Sequence, residues 1–251
     1  MKKLLNKAAE YLRKAEYGVV FSGAGISVES GIPPFRGEEG LWSKYDPKYL
    51  ELNYFLQFPE RSWEILKEIF YEFIANARPN PAHTALAQLE KEGIIKAVIT
   101  QNIDSLHQLA GSKLVYEFHG STRKMICVKC GKIYQSTDIS LQKLPPVCTA
   151  CPGILKPDII FFGDLIPTEV SEAAFTAAEK CDVMLLVGTT GEIMPAAMLP
   201  YTAKQQNNAV IIEVNPHESE YTGELTDIFL RGRAGELLPE LTQMVLTGNI
   251  N

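Results

Sequence analysis

Four cysteines stand as two pairs, Cys127-x-x-Cys130 and Cys148-x-x-Cys151, with 17 residues between the pairs. A C-x-x-C unit at the turn of a short hairpin brings two thiolates within reach of one metal ion. Two such turns complete the four-sulfur tetrahedron that Zn²⁺ prefers, and the span between them falls in the zinc-ribbon range. Four thiolates leave no position for water, so such an ion would be structural. Two disulfides, or a redox C-x-x-C, would use the same residues, but two matched pairs favour the metal. The fifth cysteine, Cys181, precedes an apolar strand-like run and reads as a buried thiol.

Three further clusters carry polar chemistry. The segment Gly23-Ala24-Gly25-Ile26-Ser27-Val28 follows an apolar run. Glycines there let backbone N–H groups approach a pyrophosphate at the N-terminus of a helix. The full dinucleotide fingerprint needs a third glycine where this chain has Val28, so the pair alone is equally a tight turn. The downstream Pro33-Pro34-Phe35-Arg36 strengthens the reading: Arg36 offers a cation for phosphate and Phe35 a flat apolar wall. Next, Gln101-Asn102-Ile103-Asp104 follows a second apolar run, at the end of a strand where open α/β sheets bind ligands. Its side chains suit sugar hydroxyls and a carboxamide, although Asp104 would equally serve as a helix cap. Third, His119 terminates a strand, whereas His83 and His107 lie in helical patterns and His217 in a loop. That position suits a general base near neutral pH.

The elements that must hold these clusters follow from periodicity. Strand-like runs are expected at 17–21, 94–99, 113–118, 158–162, 182–187 and 209–214. Helical patterns lie between them at about 81–92, 168–180, 195–205 and 234–245, and Pro81 and Pro195 suit first helical turns. Near-continuous apolar strands alternating with helices imply a Rossmann-like parallel sheet, an α/β fold wound on both faces. Two stretches break the alternation: an aromatic helical one and the cysteine-bearing one. The expected division is a large domain of residues 1–36, 79–120 and 156–251. A helical module, 37–78, and a zinc-ribbon module, 121–155, form the smaller domain.

The chain's 251 residues, 46% hydrophobic and 22% charged, can bury a sizeable core. A net charge of −6 argues against a phosphate-backbone binder. The N-terminal segment reads as an amphipathic surface helix, with Leu4, Leu5, Ala8, Tyr11, Leu12 and Ala15 at helical spacing, and no run approaches the length of a membrane span. An odd cysteine without an export signal fits a reducing cytoplasm, which again favours metal over disulfide.

In order, these motifs resemble the sirtuins, the NAD-dependent protein deacylases. The resemblance runs through Gly23–Ser27, Gly31-Ile32-Pro33-x-Phe35-Arg36, Thr100–Asp104, His119-Gly120 and the four cysteines. It continues through Phe161-Phe162-Gly163-Asp164, Val187-Gly188-Thr189-Thr190, Pro195-Ala196-Ala197 and Ile212–Asn215. It implies that the acyl oxygen of a modified lysine displaces nicotinamide from NAD. His119 then activates a ribose hydroxyl, and the products are free lysine, nicotinamide and O-acyl-ADP-ribose. It implies NAD contacts from Gly23, Ala24, Gly25, Phe35 and Arg36. Gln101 and the catalytic Asn102 would hold the ribose, and Ile103 and Asp104 the carboxamide. Gly188, Thr189, Thr190, Asn215 and Ala234 would serve the adenosine side. An acyl-lysine peptide would add as a strand between Gly163-Asp164 and the segment after Thr190, with Ile160, Phe162 and Ile193 lining a lysine tunnel. One structural zinc is implied; no nucleic acid or membrane partner is expected, and the oligomeric state is open. Glu192 and Pro34 depart from the family's usual residues. Leu66 and Ile69 stand where relatives that remove acidic acyl groups carry Tyr and Arg, which implies neutral acyl groups. ADP-ribose transfer or NAD hydrolysis on the same site is the competing enzymatic reading. A zinc-ribbon binding module that kept an NAD sensor is the non-enzymatic one.

Overall fold

The structure is a computed structural model and describes residues 1–35 and 40–248; Arg36, expected at a phosphate, lies outside them. Among the described residues the strands are β1 (Gly18–Ser22), β2 (Ile95–Thr100), β3 (Val115–Glu117), β4 (Gly120–Cys127), β5 (Ile133–Gln135), β6 (Leu155–Ile159), β7 (Val183–Val187), β8 (Val210–Asn215) and β9 (Ile228–Arg231). The α-helices are α1 (Lys2–Lys14), α2 (Leu41–Lys44), α3 (Leu52–Gln57), α4 (Pro59–Leu66), α5 (Pro81–Lys91), α6 (Leu106–Ala110), α7 (Thr168–Lys180), α8 (Met198–Asn207) and α9 (Ala234–Thr247).

Six strands form one parallel sheet in the order β3-β2-β1-β7-β8-β9. That is the order of a Rossmann sheet, with its reversal between β1 and β7, where such sheets bind ligands. Alternate side chains point to opposite faces, and each face has its own core. Val20, Val98, Leu185 and Ile212 pack with α1, α5 and α9, whereas Val19, Phe21, Ile99, Met184 and Ile211 pack with α7 and α8. Burial on both faces explains why these strands read as unbroken apolar runs.

The second sheet is antiparallel, β5-β4-β6, and carries the cysteines. Its apolar residues Met125, Leu155 and Ile159, with Phe161 just after β6, share one core with Phe55, Trp63, Leu66, Ile69 and Phe70 of the helical segment. The Trp63 indole N–H donates to the Leu155 carbonyl at 2.8 Å and ties the two together. After α4 the chain continues through a π-helical segment, Lys67–Phe73.

Several sequence expectations need correction. The run at 158–162 does not join the parallel sheet: β6 is an edge strand of the ribbon, where Pro157 costs no ladder bond. The strand β9 was not anticipated, because its apolar run is four residues long and no helix precedes it. The helix expected from Pro195 begins at Met198, after a turn closed by the Met198 N–H on the Pro195 carbonyl. The helix after the glycine loop is a 3₁₀ segment, Ala24–Ser30, ended by Gly31 in the left-handed region. Among the described residues no helix is long and apolar enough to cross a membrane.

Candidate active site and metal centre

The glycine loop leaves β1 and crosses directly onto the end of β7. The Gly23 N–H donates to Val187 O at 3.0 Å and the Gly25 N–H to Gly188 O at 2.8 Å. A Cβ on Gly25 would sit 2.6 Å from the Gly188 Cα, so the two loops meet backbone to backbone. Gly188 itself has φ 60°, which favours glycine. Gly23, Ala24 and Gly25 therefore lie at the sheet's reversal, with the Gly23 and Gly25 N–H groups held by the β7 end.

The β2 end is laced to this loop. The Asn102 amide nitrogen donates to Gly23 O at 3.1 Å and to Ser27 Oγ at 3.2 Å. Ser27 Oγ in turn donates to Asp104 Oδ2 at 2.7 Å, while Asp104 Oδ1 accepts from the Leu106 N–H at 2.9 Å. Asp104 thus bonds the first N–H of α6 from one residue before the N-cap, which is Ser105 rather than Asp104, and faces the glycine loop as well. Burial pushes its carboxyl above the usual carboxylate range, against the hydrogen bonds that favour its charge. The Ile103 carbonyl accepts from both the N–H and the hydroxyl of Thr122. Gln101 reaches across to Thr189, Nε2 to Oγ1 at 2.9 Å, and Asn215 Nδ2 donates to Thr189 O at 3.0 Å.

His119 sits 3.2 Å from the Gln101 carbonyl through Nδ1. A carbonyl only accepts, so Nδ1 carries the proton and Nε2 keeps its lone pair. Burial lowers the imidazole pKa below its ordinary 6.5, outweighing that hydrogen bond, so the neutral base is the form present at pH 7. On its other side the His119 carbonyl accepts from the Ile160 N–H at 2.9 Å. A hydrogen-bonded chain therefore links Ile160, His119, Gln101, Thr189 and Asn215.

The remaining expected residues sit around this chain. Phe35 is half-buried, its ring 5.3 Å from that of Trp42. Ala234 opens α9 and is buried against the core. Ile193 is half-buried, and the exposed Thr190 gives its carbonyl to the Glu220 N–H. Phe162 is half-exposed, with its N–H and carbonyl bonded to Leu50 O and Leu52 N. Gly163 forms the turn beside it at φ 92°. The Asp164 carboxylate, expected at substrate, turns inward onto Lys156. Sequence reasoning missed Ser27 as the bridge between Asn102 and Asp104, and it missed Lys156. The signal for Lys156 was a lone cation in the run from Leu155 to Phe162.

The four cysteine sulfurs lie within 4.8 Å of one another, with Cys127 to Cys151 at 3.5 Å and Cys130 to Cys148 at 3.8 Å. Those separations exceed an S–S bond of about 2 Å and match the edge of about 3.8 Å that a Zn–S distance near 2.3 Å gives in a tetrahedron. Proton sharing points the same way. The Tyr134 hydroxyl, 3.0 Å from Cys148 Sγ, lowers that thiol to about 6. Burial and the neighbouring sulfurs push Cys151 up to about 12. A divalent cation at the centre stabilises all four as thiolates, so the cluster fits zinc.

Fold and site together define a Rossmann-type dinucleotide-binding protein braced by a zinc ribbon, with a neutral histidine at the crevice. The model of the Sir2 family matches residues 23–195. NAD-dependent protein deacylase 2 of Pyrobaculum aerophilum is 46% identical over 238 residues, 94% of each chain. An NAD-dependent protein deacylase of Thermococcus kodakarensis is 44% identical over 96% of each chain. Among solved structures, a Sir2 homologue–NAD complex superposes with a TM-score of 0.89 at 38% identity, covering 98% of this chain and 94% of that one. The chain belongs to the Sir2 family.

Proposed function

We propose that this protein is an NAD-dependent protein-lysine deacylase that acts on neutral acyl groups, acetyl foremost. The observation that carries the reading is His119, neutral, with Nε2 as its basic nitrogen, in one hydrogen-bonded chain with the β2 and β7 ends. Relatives at 40–46% identity that bear the names deacylase and deacetylase support it. NAD, when bound, supplies the ribose carbon from which nicotinamide leaves and to which the acyl oxygen becomes attached.

The chain's own residues do the rest. Gly23, Ala24 and Gly25 let the pyrophosphate approach a backbone without bulky side chains, the Gly23 and Gly25 N–H groups being already given to Val187 O and Gly188 O, and Arg36 is assigned to the phosphates as a cation. Gln101 and Asn102 orient the ribose. Asp104 and the Ile103 N–H hold the carboxamide, since the Ile103 carbonyl is already taken by Thr122. Gly188, Thr189, Thr190, Asn215 and Ala234 serve the adenosine side. Phe35 excludes water from the reacting sugar. His119 Nε2 takes the proton of a ribose hydroxyl, and Nδ1–H on Gln101 O holds the ring in that orientation. The peptide adds at the edge formed by Gly163 and the segment after Thr190, with Ile160, Phe162 and Ile193 around the lysine. Leu66 and Ile69 are buried in an apolar core, which supports a preference for uncharged acyl groups. We place the domain boundaries at 36/37, 78/79, 120/121 and 155/156, and the protein in the cytoplasm.

Incubation with NAD and a panel of acyl-lysine peptides tests the reading by mass spectrometry. The expected result is nicotinamide and O-acetyl-ADP-ribose in equal amounts, both dependent on acetyl-peptide. NAD consumption without peptide and without that product overturns it. Equal rates on acetyl- and succinyl-lysine overturn the preference alone.

A further inference from the structure

Lys156 lies on β6 next to Leu155, whose partner across the ladder is Cys127. Only 7% of the residue is exposed. Its ammonium donates to the Ile159 carbonyl at 2.7 Å and to Asp164 Oδ2 at 2.8 Å, and it lies 4.3 Å from the centroid of the Phe161 ring. Asp164 Oδ2 also accepts from the Phe161 N–H at 3.0 Å, and the Asp164 N–H donates to Phe161 O at 2.9 Å. With Gly163 at φ 92°, these bonds close a tight turn over residues 161–164. The outer flank of the turn presents Phe162, 48% exposed, and Leu165, 91% exposed.

A buried ammonium is a poor way to gain stability, because an apolar side chain of similar volume does as well or better. What the charge supplies here is conformation. Among the described residues both hydrogen-bond acceptors of the ammonium, Ile159 O and Asp164 Oδ2, fall within residues 159–164, the stretch that leaves the metal ribbon and becomes the proposed peptide edge. The helical module fixes the same turn from the side, through Phe162 to Leu50 and Leu52. Lysine and carboxylate together leave the turn one arrangement in which both charges are satisfied.

We infer that Lys156 is a positioning residue for acyl-peptide binding: with Asp164 it holds the 161–164 turn in the shape the peptide strand pairs with, and it joins that turn to the zinc ribbon. The inference rests on the deacylase reading and adds to it a residue that never touches substrate. It assigns Asp164 the same inward role.

The test compares Lys156→Met, Asp164→Asn and Lys156→Arg with the wild type. Steady-state kinetics are run against acetyl-peptide and against NAD, with zinc content measured per chain. Wild-type turnover with acetyl-peptide checks the underlying reading; if it is absent, that reading fails first. Given turnover, Lys156→Met and Asp164→Asn are expected to raise the peptide KM about 10- to 100-fold, while the NAD KM moves less than about threefold and zinc stays at one per chain. Lys156→Arg keeps charge and donors and is expected to restore the peptide KM to within about fivefold. An unchanged peptide KM in either folded variant, or equal rises in both KM values, overturns the inference. So does failure of both variants to fold with zinc bound, which would make the pair a general stability element.

Discussion

His83 on α5 and His107 on α6 meet edge to face, with ring centroids 5.0 Å apart, and both are buried to within 1% of full enclosure. His107 Nε2 lies 2.8 Å from Ser22 Oγ, and His83 Nδ1 accepts from the Asn80 N–H. Among the described residues His83 Nε2 and His107 Nδ1 have no hydrogen-bond partner. Burial lowers His83 to about 4; burial first, then its neighbour, lowers His107 to about 3. A histidine depressed in the folded state contributes stability that is fully present above its unfolded value of 6.5 and is lost as pH falls toward its folded value. Between pH 6.5 and pH 5 each unfolded ring takes up a proton that the folded chain refuses. At about 1.4 kcal/mol per pH unit for each ring, the pair removes about 4 kcal/mol, a large share of a typical domain's stability. Urea unfolding of zinc-loaded protein at half-unit steps from pH 7.5 to 5, beside a His83→Gln/His107→Gln variant, isolates this effect. Protonation of the zinc thiolates and of Asp104 affects both proteins alike and cancels in the difference. The wild type should lose about 4 kcal/mol more than the variant over that range. Parallel pH dependences would refute the reasoning, because they would mean that the rings take up protons within the fold.

Three other perturbations have outcomes set by the geometry. Tyr134→Phe removes the hydroxyl bonded to Cys148 Sγ and to the Thr149 N–H. A hydrogen bond to a thiolate contributes about 1.5 kcal/mol, so zinc release to a chromogenic chelator should speed up about tenfold; an unchanged rate rules out that role. Gly188→Ala forces φ 60° on a residue with a Cβ and drives that Cβ into the Ile26 backbone nitrogen. It should cost about 2 kcal/mol or more and weaken NAD binding, as thermal shifts with and without NAD can read; a stable variant with unaltered NAD affinity contradicts the loop-on-loop packing. For His119, the lowered pKa puts the acid limb of kcat/KM below pH 6.5. A limb above that value would mean that a different group, or a charged neighbour, sets the base.

The sequence was most legible where one residue type has one structural consequence. Val19-Val20-Phe21 and Met184-Leu185-Leu186 are apolar without alternation because both sheet faces are covered, and that, with the alternation of strands and helices, implied the parallel sheet. Two C-x-x-C units close a metal shell wherever they are brought together, so the cluster was readable before any fold. The site residues came largely through the family resemblance, since Gln101, Asn102 and Asp104 are also ordinary turn and cap residues. Long-range pairings stayed hidden. The run Ile228–Arg231 is too short to announce a sixth strand. His83 and His107 read as helix positions until α5 and α6 are packed side by side. Nothing in Leu155-Lys156-Pro157 says that the lysine folds toward a carboxylate eight residues on. Such contacts depend on how separate segments meet, which local pattern does not encode.

The position of the metal follows from β4 itself. That strand begins at Gly120, directly after His119, and ends at Cys127. Its partner β6 starts at Leu155 opposite Cys127 and ends at Ile159 opposite Gly120, one residue before the Ile160 N–H that holds the His119 carbonyl. At the His119 end the strands meet closely: a Cβ on Gly120 would collide with the Asp158 carbonyl. Between these ends the register shifts, Ser121 opposing Asp158 and Met125 opposing Pro157, so zinc at one end would hold together the two strands that present His119, the proposed base, at the other. Its contribution is mechanical, and four thiolates leave it no vacant coordination site for chemistry. Replacing zinc by Cd²⁺ or Co²⁺, both of which accept four thiolates, should leave kcat within about threefold, whereas metal removal should abolish turnover and loosen β4 and β6 in hydrogen exchange. A kcat that follows the identity of the metal, or full turnover in verified metal-free protein, would show that the ladder argument is wrong.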